Sequence, residues 1–329
     1  MAGLQREETG TLLSFRPSIR VIDATMRDGG LVNNFQFSDQ FVTSLYQANI
    51  ASGVDYMEMG YKADKDLFDE SAFGKWKFCK EDDIFRIVGE NKTPLKLAVM
   101  ADVGRCNVER DLGDKKNSPI DMVRIATYIN TIPAALAMVD WCEKKGYETT
   151  VNVMAISQAS EKEIDLALEM LGKSATRTIY IVDSYGSMYP EEMRVIGEKY
   201  MEAGVKYGKQ IGIHAHNNQN LAFANTIECT ALGVNYLDAT VQGMGRGAGN
   251  CAMELLLGFL KNPKYKLVHM LKFIEKHMPE IRKSGAVWGY DLPYLLTGVF
   301  NRHPSPAIRY IKDKRENIVD FYHEILDQE

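Results

Sequence analysis

Long apolar runs are missing from this 329-residue chain. No stretch approaches the roughly 18 consecutive apolar residues of a membrane-spanning helix, and no signal-peptide pattern is expected. Cysteine is sparse. Cys79, Cys106, Cys142, Cys229 and Cys251 are an odd number, widely spread and without a CxxC pair. That excludes a disulfide frame or zinc knuckle and fits the reduced thiols of a cytoplasmic protein. Positive charge is in deficit, with 39 Lys+Arg against 44 Asp+Glu and a net charge of -5, which argues against nucleic-acid or membrane-surface partners. No GxGxxG follows the first strand-like run, so an open, doubly wound nucleotide-binding sheet remains the lesser architecture.

What is present is alternation. Runs rich in β-branched and apolar residues predict strands near 19–25, 54–59, 95–101, 122–126, 150–155, 178–183, 210–214 and 236–241. Helix-like segments at 38–52, 132–145, 160–171, 191–207, 220–232 and 253–259 fall between or after them. Eight such units predict an α/β fold, a (β/α)8 TIM barrel with its chemistry at the C-terminal ends of the strands. The expected organisation is an N-terminal extension at 1–17, a catalytic barrel at 18–262 and a helical C-terminal extension at 263–329. The last is interrupted at His303-Pro304-Ser305-Pro306 and packs on the barrel or on a second subunit. The charged stretch 62–93, with Phe68, Phe73, Trp76 and Phe78 embedded, follows the second strand and should lie over the catalytic face. It is either a lid that selects substrate or a solvated insertion with a small helix of its own.

Histidine is scarce, six in all, yet two stand in Gly212-Ile213-His214-Ala215-His216-Asn217-Asn218. Residues i and i+2 of a strand share a face, so both imidazoles can address one metal ion. Asp23-Ala24-Thr25-Met26-Arg27-Asp28-Gly29-Gly30 closes the first strand and brings a carboxylate to the same barrel face. Taken alone, Asp28 is also read as a turn residue paired with Arg27. Asp28, His214 and His216 together make a mixed N/O donor set that leaves positions open for water and substrate. Such a set suits a divalent ion, with Mn²⁺ first and Mg²⁺, Co²⁺ or Zn²⁺ as alternatives. After the eighth strand comes Gly243-Met244-Gly245-Arg246-Gly247-Ala248-Gly249-Asn250. Its glycines let the backbone approach closely, Asn250 is a fourth ligand or a supporting donor, and Arg246 is a substrate-anion contact or a solvated residue.

These three motifs, in this order on strands one, seven and eight, resemble the DRE-TIM metallolyases over roughly residues 19–262. The aldolase branch, 4-hydroxy-2-oxovalerate aldolase, is the better match. Its RDG, HAHxN…L…AN[ST] and GxGxGAGN patterns are echoed by Arg27-Asp28-Gly29, by His214 to Asn218 with Leu221 and Ala224-Asn225-Thr226, and by the 243–250 turn. The resemblance implies that Asp28, His214 and His216 are metal ligands, with Asn250 a possible fourth, and that Arg27 steadies an enolate oxygen. It also implies that Ser184 lies near the substrate carboxylate and that Tyr290 lines the pocket as a catalytic-site residue. One position departs. The aldolases carry a histidine two residues after the RDG glycine as general base on the 4-hydroxyl, and Leu31 stands there. His303, Asn33, Tyr290 or a metal-bound water are the candidates to replace it.

The expected function is therefore a divalent-metal-dependent carbon–carbon lyase that cleaves or forms a 4-hydroxy-2-oxo acid through a pyruvate-like enolate. A Claisen-type synthase joining an acyl-CoA to a 2-oxo acid, or a CoA lyase of the same family, is the alternative. A barrel that has lost its base and serves only as a binding partner is the third. A homo-oligomer, a dimer, is expected, and the resemblance adds an aldehyde dehydrogenase as a possible partner.

Overall fold

The computed structural model describes residues 13–327; most of the expected N-terminal extension, 1–12, lies outside the described residues. Eight strands follow in order: β1 Arg20–Asp23, β2 Tyr56–Tyr61, β3 Lys96–Asp102, β4 Met122–Tyr128, β5 Glu148–Met154, β6 Thr178–Asp183, β7 Gln210–Ala215 and β8 Tyr236–Ala239. Each pairs in parallel with the next, and β8 returns to β1 with Arg20 opposite Tyr236 and Asp23 opposite Ala239, closing the barrel. Sequences such as Thr-Ile-Tyr-Ile-Val-Asp in β6, buried at every position, suit strands covered on both faces.

Among the described residues twelve α-helices cover the outside and the ends: α1 Asp39–Ser52, α2 Glu81–Val88, α3 Val108–Asp111, α4 Ile132–Lys144, α5 Glu161–Lys173, α6 Pro190–Tyr207, α7 Ala222–Leu232, α8 Met253–Phe259, α9 Leu267–Lys283, α10 Leu292–Val299, α11 Ser305–Lys312 and α12 Ile318–Leu326. Local chemistry sets their ends. Ser38 accepts from the Phe41 amide at the start of α1, and Ser160 with Glu163 forms a reciprocal cap on α5. No helix among the described residues is long and apolar enough to cross a membrane.

Inside the barrel the period of two sorts residues by depth. Ile22, Tyr56, Ala98 and Met122, with Tyr236 against them, form an apolar plug. Two residues further along three of these strands stand Glu58, Arg124 and Asp238, all buried. The Tyr180 ring also crosses the interior. It fits because position 212 is glycine, where a Cβ would come within 2.5 Å of the Tyr180 Cζ. The barrel thus has an apolar floor and a charged middle, and it opens at the C-terminal ends of the strands.

The stretch 62–93 does carry a small helix of its own, α2, preceded by a 3₁₀ turn at Lys75–Lys77. Trp76 and Phe78 are buried, so the segment is packed down and not solvated throughout. Beyond β8, α9 lies on α1, with Phe273 edge-on to Phe41 at 5.2 Å. Helices α10–α12 build a second small core from Tyr294, Ala307, Tyr310, Phe321 and Ile325, which meets the glycine-rich turn at Ala248. Asn301 ties this group to the barrel mouth. It accepts from the Ser157 and Ser187 hydroxyls at 2.7 and 2.8 Å and donates to the Ser157 carbonyl at 3.0 Å. The helical extension therefore covers part of the catalytic face and carries His303 onto it.

Candidate active site

Where β1 ends, the chain turns so that Arg27 and Asp28 point back over the barrel mouth. Where β7 ends, His214 and His216 face the same space. The ligand atoms of Asp28, His214 and His216 lie within 4.8 Å of one another, and all three residues are buried. A cavity of about 200 Å³ opens above them, with Arg27, Leu31, Ser184, Arg246 and His303 also in its walls.

A chain of buried charge supports these ligands from below. Arg27 donates through Nε to Glu58 at 2.9 Å and through a terminal nitrogen to Asp28 at 2.8 Å. Arg124 bridges the same Glu58 oxygen at 2.9 Å and Asp238 at 2.6 Å. The His214 Nδ1 lies 2.9 Å from that Asp238 oxygen. Burial disfavours the Asp238 charge, but Arg124 and His214 more than offset it and keep the carboxyl below its ordinary range. A carboxylate there accepts the proton on His214 Nδ1, which orients the ring and selects Nε2 as the nitrogen that can act as a ligand. That Nε2 is buried and has no partner among the described residues.

The titration states suit cation binding. Burial pushes the His216 imidazole down to about 3, so it is neutral at pH 7. Burial works against the Asp28 charge as well, yet the Arg27 cation and the Asn250 hydrogen bond hold its carboxyl well below the usual carboxylate range. The set is two imidazoles and one carboxylate, with an orphaned His214 nitrogen aimed into it, and it fits a divalent ion.

The glycine-rich turn is drawn in by Asn218, which donates to the Tyr185 carbonyl at 2.9 Å and accepts from the Ala248 amide at 3.1 Å. This places Asn250 so that its Nδ2 donates to Asp28 at 2.5 Å, while its buried Oδ1 has no partner among the described residues. The approach needs glycine at 245, because a Cβ there would lie 2.7 Å from the Asp28 oxygen and closer still to Asn250.

Of the residues singled out from sequence, Arg27, Asp28, Ser184, His214, His216 and Arg246 line one cavity, and Asn250 touches Asp28. Tyr290 is not brought in. It is 56% exposed on the loop before α10 and stands outside the cavity walls, so the placement expected for it is corrected. Tyr61, Tyr128 and Tyr185 are the tyrosines there. Asn33 is also absent from the walls, whereas Leu31 is part of them. Sequence reasoning passed over Glu58, Arg124 and Asp238. The available signal was a single charge at an inward position of an otherwise apolar strand, where burial demands a partner.

A family model described as HMGL-like matches residues 18–276. The chain is 30% identical over 247 residues to a protein of Mycobacterium tuberculosis (strain ATCC 25618 / H37Rv) named oxaloacetate decarboxylase, covering 73% of this chain and 69% of that one. It is 26% identical over 319 residues to a 4-hydroxy-2-oxovalerate aldolase of Bacillus cereus (strain ATCC 10987 / NRS 248), covering 93% and 91%. Among solved structures it is similar to the N-terminal domain of a candidate aldolase from Bacteroides vulgatus, with TM-score 0.76 and 26% identity, over 89% of this chain and 96% of that one.

Proposed function

Because the chain belongs to the HMGL-like family, a family of metal-dependent lyases, we propose that it cleaves, or in reverse forms, the C3–C4 bond of a 4-hydroxy-2-oxo acid. The observation that carries this reading is the meeting of Asp28, His214 and His216 with Arg27 in one cavity. Those three side chains would hold a divalent ion, with the Asn250 amide beside them, and such an ion supplies Lewis acidity toward a keto oxygen.

The rest falls to the protein's own groups. Arg27 spends one N–H on Glu58 and one on Asp28; others remain to donate to the keto oxygen as charge develops there. Ser184 accepts the Ala155 amide at 2.8 Å, so its hydroxyl proton is free for a substrate carboxylate. Leu31 faces the cavity and cannot carry a proton. His303 is the group we assign to that task. Its Nε2 is 3.0 Å from Arg246, and its Nδ1 accepts from the Ser305 amide at 3.1 Å and lies 2.7 Å from the Ser305 hydroxyl. Burial, then Arg246, pushes it down to about 4, so at pH 7 it is a neutral base. In the cleavage direction it takes the 4-hydroxyl proton, the C3–C4 pair moves onto the 2-oxo half as an enolate, and an aldehyde leaves.

Leu31 also favours a second reading, decarboxylation of a 2-oxo dicarboxylate, the reaction named for the Mycobacterium tuberculosis relative. The same bond breaks, but there is no hydroxyl proton to remove. Both readings pass through a pyruvate enolate, so both predict exchange of the pyruvate methyl protons in D₂O, followed by NMR with Mg²⁺ or Zn²⁺. Arg27→Met should slow that exchange by about 10²–10³. No exchange in the wild type with any of Mg²⁺, Zn²⁺, Co²⁺ or Mn²⁺ (the last two read by mass spectrometry) would overturn both.

A further inference from the structure

Lys77 is an anomaly in the cavity wall. It sits in the 3₁₀ turn before α2 with only 9% of its surface exposed. Among the described residues its ammonium has no ion pair and no hydrogen bond. It lies instead over four aromatic rings: Phe68 at 4.5 Å, Tyr61 at 4.6 Å, Phe35 at 5.1 Å and Phe73 at 5.6 Å. Cation–π contact offsets part of the cost of taking the charge out of water, but a ring face is a much weaker acceptor than a carboxylate oxygen. Its three N–H donors are thus held at the edge of a cavity with no oxygen or nitrogen acceptor in hydrogen-bond contact among the described residues.

The neighbouring wall repeats the pattern. Arg105, after β3, is exposed and lines the same cavity, with no side-chain ion pair among the described residues. Asp102 is the carboxylate in that part of the wall, and it offsets one of the two cations. The cavity as a whole carries Arg27, Lys77, Arg105 and Arg246 against Asp28 and Asp102, an excess of positive charge inside a protein whose net charge is -5. Arg27 and the ligand triad serve the 2-oxo end. Lys77 and Arg105 lie in the segments that follow β2 and β3, and among the described residues neither has a hydrogen bond or ion pair to Arg27 or to the ligand triad.

We infer that Lys77 and Arg105 form a subsite for a second carboxylate, so that the half of the substrate remote from the 2-oxo acid is itself an acid. The inference rests on the 2-oxo acid reading and narrows it to dicarboxylates. A single positive excess at Lys77, Arg105 and Asp102 matches a carboxylate better than a phosphate dianion. It also bears on the choice of reaction. Cations paired to a carboxylate that must leave as neutral CO₂ stabilise the ground state more than the transition state. A carboxylate anchored there is one that stays, which favours release of an acid-bearing carbonyl product over decarboxylation.

The test is calorimetric titration of the Mn²⁺-loaded protein with 2-oxoglutarate and 2-oxopentanoate, equal in carbon count and differing in the terminal carboxylate. The wild type should bind 2-oxoglutarate about 10- to 100-fold more tightly. Lys77→Met and Arg105→Met should each lower that ratio toward one, and Lys77→Arg should keep most of it. Arg105 is exposed, so its variant decides the matter if Lys77→Met does not fold. A wild-type ratio near one, or a ratio that survives both methionine variants, overturns the subsite and leaves the 2-oxo acid reading standing. Failure of both ligands to bind overturns that reading and the subsite with it.

Discussion

Asp238 takes two donors on one oxygen, Arg124 at 2.6 Å and His214 Nδ1 at 2.9 Å. The second contact fixes which nitrogen of His214 is free, and so decides whether the ring can act as a ligand. Asp238→Asn offers a weaker acceptor that cannot serve both donors equally. Affinity for Mn²⁺ or Zn²⁺ should fall by about 10- to 100-fold, as for other groups that orient a ligating histidine. Isothermal titration of the metal-free protein measures this, and an unchanged affinity would show that Asp238 does not orient the ring.

Arg124 is buried completely and pairs with Glu58 and Asp238. Arg124→Met removes the cation between two carboxylates in the middle of the barrel. Breaking a buried ion pair from one side costs about 3–5 kcal/mol, because the remaining charge is stranded. Urea unfolding of the metal-free protein should register a loss of that order. A loss below about 1 kcal/mol would mean that Arg27 and His214 alone can neutralise the two acids.

The strands were largely legible because parallel strands buried on both faces are rich in apolar and β-branched residues. The reading at 178–183 coincides with β6, and each of the others overlaps its strand with ends displaced by a few residues. Helix α2 was not located, since Glu81–Val88 buries only Ile84 and its charges read as loop. Asp28, His214 and His216 could be read because period-two spacing and strand ends encode which way a side chain faces. The pairing of His303 with Arg246 could not. They stand 57 residues apart, and only the folding of α10–α12 over the barrel mouth brings them together. Tyr290 shows the reverse error: a loop position assigned by likeness, in a segment whose course local pattern does not set.

Gly245 presents a sharper test of how closely the turn must approach. A Cβ there would press on the Asn250 amide and on Asp28. Gly→Ala changes at unstrained positions usually stabilise by about 0.4–1 kcal/mol, so the sign is informative. Gly245→Ala should instead lower the thermal midpoint and weaken metal affinity by about tenfold or more, the range seen when groups around a metal ligand are disturbed. A stabilised variant with intact metal affinity would show that the turn can shift without moving Asp28.

The protonation of His303 distinguishes a base from a bystander. Burial first, and then the Arg246 cation beside Nε2, pushes its imidazole down to about 4. The sign follows directly: the neutral, proton-accepting form persists as pH falls and is lost only on passing through that value. Arg246→Gln removes the nearby positive charge, which stabilises the imidazolium and moves the midpoint upward toward the ordinary value of about 6.5. With six histidines in the chain, the ring resonances are few enough to resolve by NMR, and His303→Asn identifies the one in question. If His303 is the base, the acid limb of the lyase rate should follow the same midpoint in both proteins, so the variant loses activity at a higher pH than the wild type. A midpoint near 6.5 in the wild type, or one that Arg246→Gln leaves in place, would break the link between the two residues. A rate limb indifferent to His303→Asn would remove His303 from proton transfer.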